Sequence, residues 1–186
     1  MRKSVISLIL IALIAADVPD LGAAQQPAVP EAKAEDVASV DAIIRAVYDV
    51  ISGPAGQKRD WNRFRSLFAP GARLVPTGRD QSGTGRMRVW TPEEYATQAG
   101  ANLESSGFFE RELGRTSERY GNIVQAFSTY DSKRSLSDEK PFMRGINSFQ
   151  VWNDGKRWWI VSIFWEGETP GNPIPEKYLK FNTGSP

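Results

Sequence analysis

The sequence predicts an α+β domain in which helices cover one face of a curved, mainly antiparallel sheet, and three observations carry that prediction. Apolar residues first recur at helical spacing, from Val40 to Ile51 and again from Trp61 to Phe68. A further helical start follows at Thr91, giving three helices in all. Everything after Gly107 then reads as long strands, over 108–119, 122–133, 143–153 and 157–167. Helices grouped ahead of strands, not alternating with them, argue for segregated layers.

The chain begins Met1-Arg2-Lys3, runs apolar from Val5 to Ala16 and reaches Gly22-Ala23-Ala24. That order is the pattern of a secretory signal peptide, with cleavage expected after Ala24. As a helix the apolar run spans only about 18 Å against a hydrocarbon core of about 30 Å, so no stable membrane anchor is expected after cleavage. The expected organisation is a signal peptide at 1–24, a flexible Pro-containing tether at 25–36, one domain over 37–180 and a disordered tail at 181–186. The expected location is exported, periplasmic or secreted.

Each element has a local reason. In the first helix Ile43, Ile44, Val47, Val50 and Ile51 form one stripe that ends at Gly53-Pro54. The second starts at a capping Asp60 and puts Trp61, Phe64, Leu67 and Phe68 on one side before Pro70-Gly71. Short strands are expected at 72–76 and 85–90 around a Gly/Ser-rich loop. Thr91-Pro92-Glu93-Glu94 combines a capping box with a proline at the first helical position, starting a helix that turns Tyr95, Ala99 and Leu103 to the core. Gly121-Asn122 and Asp154-Gly155 supply hairpin turns, and 132–141 is a charged loop.

Composition narrows the chemistry. Lys and Arg number 23 against 22 Asp and Glu, a balance with no electrostatic footprint for nucleic acid. Cys is absent, so an exported chain holds its fold by packing alone, and His is absent, which removes every His-based triad and the usual zinc sites. No metal site and no cofactor is expected. Acid/base chemistry falls to Asp, Glu, Tyr, Lys or Arg.

The order of elements, closing on Asp154-Gly155-Lys156-Arg157-Trp158-Trp159-Ile160-Val161, resembles the nuclear transport factor 2-like superfamily, which includes ketosteroid isomerase and SnoaL-type cyclases. The resemblance covers about residues 37–168 and is topological, not chemical. It implies a cone-shaped sheet wrapped around the helices, an internal pocket and an outer face that pairs with a second subunit. Simple alternation puts Trp159, Val161, Ile163 and Trp165 on one face of the last strand and Trp158, Ile160, Ser162 and Phe164 on the other. A hairpin apolar on both faces suits a homodimer.

The candidate pocket lining is Tyr48, Trp61, Phe64 and Tyr95 from the helices and Ser128, Tyr130, Ser148, Gln150 and Trp165 from the strands. Large aromatics in such positions are most often plain core. Glu110 and Glu112, with Tyr95, are the weak catalytic candidates: a carboxylate beside Phe108 in a closed pocket would have a raised pKa. The competing reading is a solvated strand with cross-strand ion pairs, since Arg111, Arg115 and Arg119 fall on the opposite face. Arg73 and Arg144 are further candidates, for holding a ligand carboxylate. The ketosteroid isomerase set of residues does not map onto the sequence. The leading expectation is a non-catalytic module that binds a small apolar ligand or a protein partner. The alternatives are a pocket isomerase, dehydratase or cyclase using a Glu and a Tyr, and a structural dimerisation module.

Overall fold

Three of the helices start where a side chain caps them. Ser39 accepts from Ala42 N at 3.0 Å, Asp60 from Arg63 N at 2.9 Å, and Thr91 and Glu94 form the reciprocal capping box. The structure, a computed structural model, describes residues 28–183. The proposed signal peptide, the first part of the tether and residues 184–186 lie outside them. Among the described residues no helix is long and apolar enough to cross a membrane.

The elements are α1 (Ala34–Val37), α2 (Val40–Ile51), α3 (Trp61–Ser66), β1 (Phe68–Arg79), β2 (Gly85–Met87), α4 (Pro92–Ser106), β3 (Phe109–Tyr120), β4 (Ile123–Lys133), β5 (Met143–Asn153), β6 (Trp158–Gly167), a 3₁₀ turn at Glu176–Tyr178 and β7 (Phe181–Thr183). The seven strands form one sheet in the order β2-β1-β6-β5-β4-β3-β7. Pairing is antiparallel except for β1 with β6 and β3 with β7. The helices lie against one face, where Ile43, Ile44, Val47, Phe64, Leu67, Phe149 and Ile160 form the core.

Local boundaries differ from the expectation in four places. Residues 34–36, expected in the tether, belong to the helix that runs to Val37, and 181–183, expected in a disordered tail, form β7 because they add to the free edge of β3. Strand β1 begins at Phe68, with Pro70 and Gly71 taken up in an irregularity between Phe68 and Arg73. Strand β2 stops at Met87; beyond it Arg88 N donates to the Pro76 carbonyl at 3.1 Å and Trp90 bridges to Leu74.

Two bulges change which residues face inward. Glu112 pairs with Tyr130 and Gly114 with Thr129, so Leu113 is an extra residue in β3. Likewise Val151 pairs with Ile160 and Gln150 with Ser162, which leaves Val161 extra in β6. Simple alternation therefore fails across both. Trp158 and Ile160 face the helices before the second bulge, and Ile163 and Trp165 face them after it. In β3 the bulge moves Arg115 to the side that carries Glu110 and Glu112.

The outer face is partly covered by the chain itself. Residues 172–175 lie beside Phe127, Ser148 and Phe164, and the Tyr178 ring packs 5.7 Å from that of Phe127. Thr129 donates to the Tyr178 carbonyl at 2.6 Å.

Candidate functional site

The inner face, α2 and α4 line a partly open cavity of about 300 Å³, at the lower end of small-molecule sites. Phe64, Trp90, Tyr95, Phe108, Phe149 and Trp165 supply its apolar wall. The aromatic rings brace one another: Tyr95 stacks on Phe64 at 5.3 Å, and Trp90 and Trp165 meet Tyr95 edge-on. Three polar groups from the strands interrupt that wall. They are Glu110 of β3, Tyr130 of β4 and Asn147 of β5.

Glu110 reaches the cavity because Ser132 and Asn147 stand opposite on the neighbouring strands. Its carboxylate accepts from Ser132 Oγ at 2.8 Å and from Asn147 Nδ2 at 3.3 Å. Burial pushes its pKa up to about 7; the two hydrogen bonds pull it down and the charge of Asp131 adds to the rise. Near neutrality such a carboxyl both takes and gives a proton. Tyr130 is 1% exposed and its hydroxyl has no hydrogen-bond partner. Burial and the Glu110 charge raise its pKa, so it stays a neutral O–H donor. Its ring crosses Gly145, its register partner; a Cβ there would come within 2.6 Å of the hydroxyl. Tyr95 is likewise held protonated by burial and by Glu110.

Behind Glu110 runs a polar chain between α2 and the sheet. Asn147 Nδ2 donates to Tyr48 Oη at 3.1 Å, Tyr48 and Ser128 share a hydrogen bond at 2.7 Å, and Ser128 donates to Glu112 at 2.5 Å. Arg115, 4% exposed, grips Glu112 with two bonds of 2.7 and 2.6 Å and also pairs with Asp41. Glu112, Arg115 and Asp41 border a surface groove of about 680 Å³. Ser52 ties Tyr48 to β3 by donating to the Tyr48 carbonyl and accepting from Glu110 N.

Of the expected lining, Phe64, Tyr95, Tyr130 and Trp165 border the cavity, while Tyr48 and Ser128 stand behind it in the polar chain. Trp61, Ser148 and Gln150 are corrections. Trp61 turns toward α4, with its indole over Gly100 and its N–H on Glu104 at 3.0 Å, because it opens the short α3 beside that helix. Ser148 and Gln150 have outward parity in β5, whose inward residues are Gly145, Asn147, Phe149 and Val151. The charged β3 reading holds only in part. Arg111 pairs across strands with Asp131 as expected, but Glu110, Glu112 and Arg115 turn inward. Arg73 donates to the Gly71 and Ala72 carbonyls, and Arg144 pairs with Glu168 at 3.3 Å, so both serve the chain itself.

Asn147 and Arg59 were not singled out by the sequence. Asn is disfavoured in strands, and Asn147 between Ile146 and Phe149 carried that signal. Gly114, inside a strand pattern, marked the β3 bulge in the same way. Its missing Cβ admits the backbone of Leu179 and Lys180, to within 2.7 Å of where the Cβ would be.

No family model matches the chain, and no curated protein does. Solved structures do. A protein of unknown function with a cystatin-like fold from Nostoc punctiforme aligns over 75% of this chain and 96% of its own, at 13% identity and a TM-score of 0.52. An uncharacterised protein with a cystatin-like fold from Caulobacter vibrioides aligns over 72% and 90%, at 12% identity and a TM-score of 0.51. A nuclear transport factor 2-like protein of unknown function from Silicibacter pomeroyi aligns over 70% and 94%, at 14% identity and a TM-score of 0.47. The fold is that of the cystatin-like structures. At these identities the likeness is one of fold alone, and what this chain does is argued from its own residues.

Proposed function

We propose that the cone is the active site of a proton-transfer enzyme, an isomerase, dehydratase or cyclase acting on a small, largely apolar substrate that carries a carbonyl oxygen. The observation that carries this reading is the pair formed by Glu110 and Tyr130 on one small apolar cavity: a carboxyl poised near neutrality beside a buried O–H with nothing to donate to. An unpaired buried hydroxyl costs the free protein about 1–3 kcal/mol. A substrate oxygen would accept from it. In that arrangement Tyr130 binds the oxygen on which charge develops, and Glu110 takes a proton from the adjacent carbon and returns it elsewhere. The same pair speaks against the non-catalytic binding module, which would be served by an apolar wall without either group.

The test is exchange of α-hydrogens for deuterium in a panel of small cyclic ketones and enones, followed by NMR in D₂O. The wild-type protein is expected to accelerate exchange for some member of the panel. Tyr130→Phe is expected to lower that rate by about 10²-fold while raising the unfolding free energy by about 1 kcal/mol, since it removes an unsatisfied group. A panel with no accelerated member, or a Tyr130→Phe variant with full activity, refutes the assignment.

We also propose a homodimer through the part of the outer face that the C-terminal segment leaves open. Tyr120, Ile123, Trp152 and Val161 are all exposed there. Light scattering at high micromolar concentration is expected to give twice the chain mass; a strictly monomeric mass counts against it.

A further inference from the structure

The polar chain behind Glu110 has a direction, and that direction follows from how many protons each member owns. Glu112, gripped twice by Arg115, only accepts. Ser128 has one proton and gives it to Glu112 at 2.5 Å. At the 2.7 Å contact between Ser128 and Tyr48, Tyr48 must therefore be the donor. Its oxygen is then left as an acceptor facing Asn147, so Asn147 presents its NH₂ group and not its carbonyl. The second hydrogen of that NH₂ points to Glu110 Oε1, 3.3 Å away. Asn147 is 6% exposed, Ser128 is fully buried and Tyr48 is 5% exposed, so bulk water has little access to reverse the order.

We propose that Ser128 is a positioning residue for Glu110: held as a donor by Glu112, it takes the Tyr48 proton and so leaves the side-chain amide of Asn147 with an N–H toward the Glu110 carboxylate. The role deepens the proposed function, since it sets how readily Glu110 gives up its proton. Ser128 and Arg115 Nε share one Glu112 oxygen, Oε1, so Glu112→Gln can keep its carbonyl there, preserve the order of the chain and change only the charge, which makes Glu110 easier to ionise. Ser128→Ala has the opposite sign with no change of charge. Tyr48 loses its acceptor and donates to Asn147, and the Asn147 carbonyl turns to Glu110, where only a protonated carboxyl is welcome. Glu110 becomes harder to ionise.

The groups that face Glu110 are Tyr48 of α2, Tyr95 of α4, Glu112 of β3, Tyr130 and Asp131 of β4, Asn147 of β5 and Arg134 in the loop after β4. None of them changes charge in Ser128→Ala. The experiment is a ¹³C-carboxyl NMR titration of the full, Glu-labelled chain, with the Glu110 signal assigned by its loss in Glu110→Gln. It needs no substrate, so its failure and a failure of the enzymatic reading are separate results. The Glu110 midpoint is expected to rise by about one pH unit in Ser128→Ala. In Ser128→Ala combined with Tyr48→Phe, where the chain is cut, the midpoint is expected to fall back to that of Tyr48→Phe alone. A fall or an unchanged value in the single variant, or an equal rise in the double variant, overturns the proposal. Glu112→Gln, which keeps the order and removes a like charge, is expected to lower the midpoint, and a rise there counts against the chain.

Discussion

Glu110→Gln is expected to lower turnover by about 10²–10⁴-fold and to leave the protein folded, with a changed dependence of stability on pH. The sign follows from the direction of the shift. The Glu110 pKa is raised from an ordinary 4.5 to about 7 in the folded chain, so between these values the native state holds a proton that the unfolded state has released. Stability therefore falls as pH rises through that window. A rise of this size corresponds to at most about 3 kcal/mol at about 1.4 kcal/mol per unit, and partial solvent access to Glu110 makes it smaller. The substitution removes the titration, so urea midpoints between pH 4.5 and 7 should fall more steeply for the wild type than for Glu110→Gln. Parallel profiles would show that the carboxyl is not held in its neutral form by the fold. Unchanged turnover would remove Glu110 from the chemistry.

The largest expected loss of stability comes from a residue that lines neither the cavity nor the groove. Arg59 is 6% exposed and donates to the carbonyls of Ile51 at 2.9 Å, Gly53 at 2.6 Å, Gln57 at 2.5 Å and Leu103 at 3.2 Å. One guanidinium thus closes the end of α2, the turn after it and the last part of α4, and places its charge where helix carbonyls are unpaired. Burial lowers its pKa and Glu104 opposes that shift. Gly53 leaves room for it, since a Cβ there would sit 2.6 Å from Nη1. Arg59→Met keeps the length of the side chain but strands several carbonyls away from water. The expected cost is about 3–5 kcal/mol, a urea midpoint lower by roughly 1–2 M. Arg59→Lys should recover only part of it, because an ammonium cannot reach carbonyls on three sides of a planar fork. A loss under about 1 kcal/mol in Arg59→Met would show that water replaces the guanidinium.

The cavity depends on this clamp indirectly, since α2 contributes Val47 and Ile51 to its wall and α4 contributes Tyr95, Ala99 and Leu103. The helices themselves were readable. Asp60 and the Thr91-Glu94 box act within four residues of chain, and their geometry is local. The turns at Gly121 and Gly155, both at positive φ, were readable for the same reason. The site was less so, because strand parity is a global count that a single extra residue resets. Leu113 looks like any strand residue, yet it decides that Arg115 joins Glu112. In β5 no bulge intervened before the site, and the error there was one of parity: Ser148 and Gln150 drew attention as polar residues in an apolar run, while Asn147 was the inward one. Arg59 was invisible for another reason. Its partners are backbone carbonyls, which every sequence contains.

The short β7 also bears on open-ended growth from the borders of the sheet. A sheet that ended at β3 would offer a twelve-residue border of free N–H and C=O groups to any passing strand. Residues 181–183 occupy part of that border and the backbone at Leu179 and Lys180 crowds against Gly114, while the opposite border is the three-residue β2. Neither side is left with a long open template. Residues 176–183 therefore act as a guard against fibre-like growth at that border.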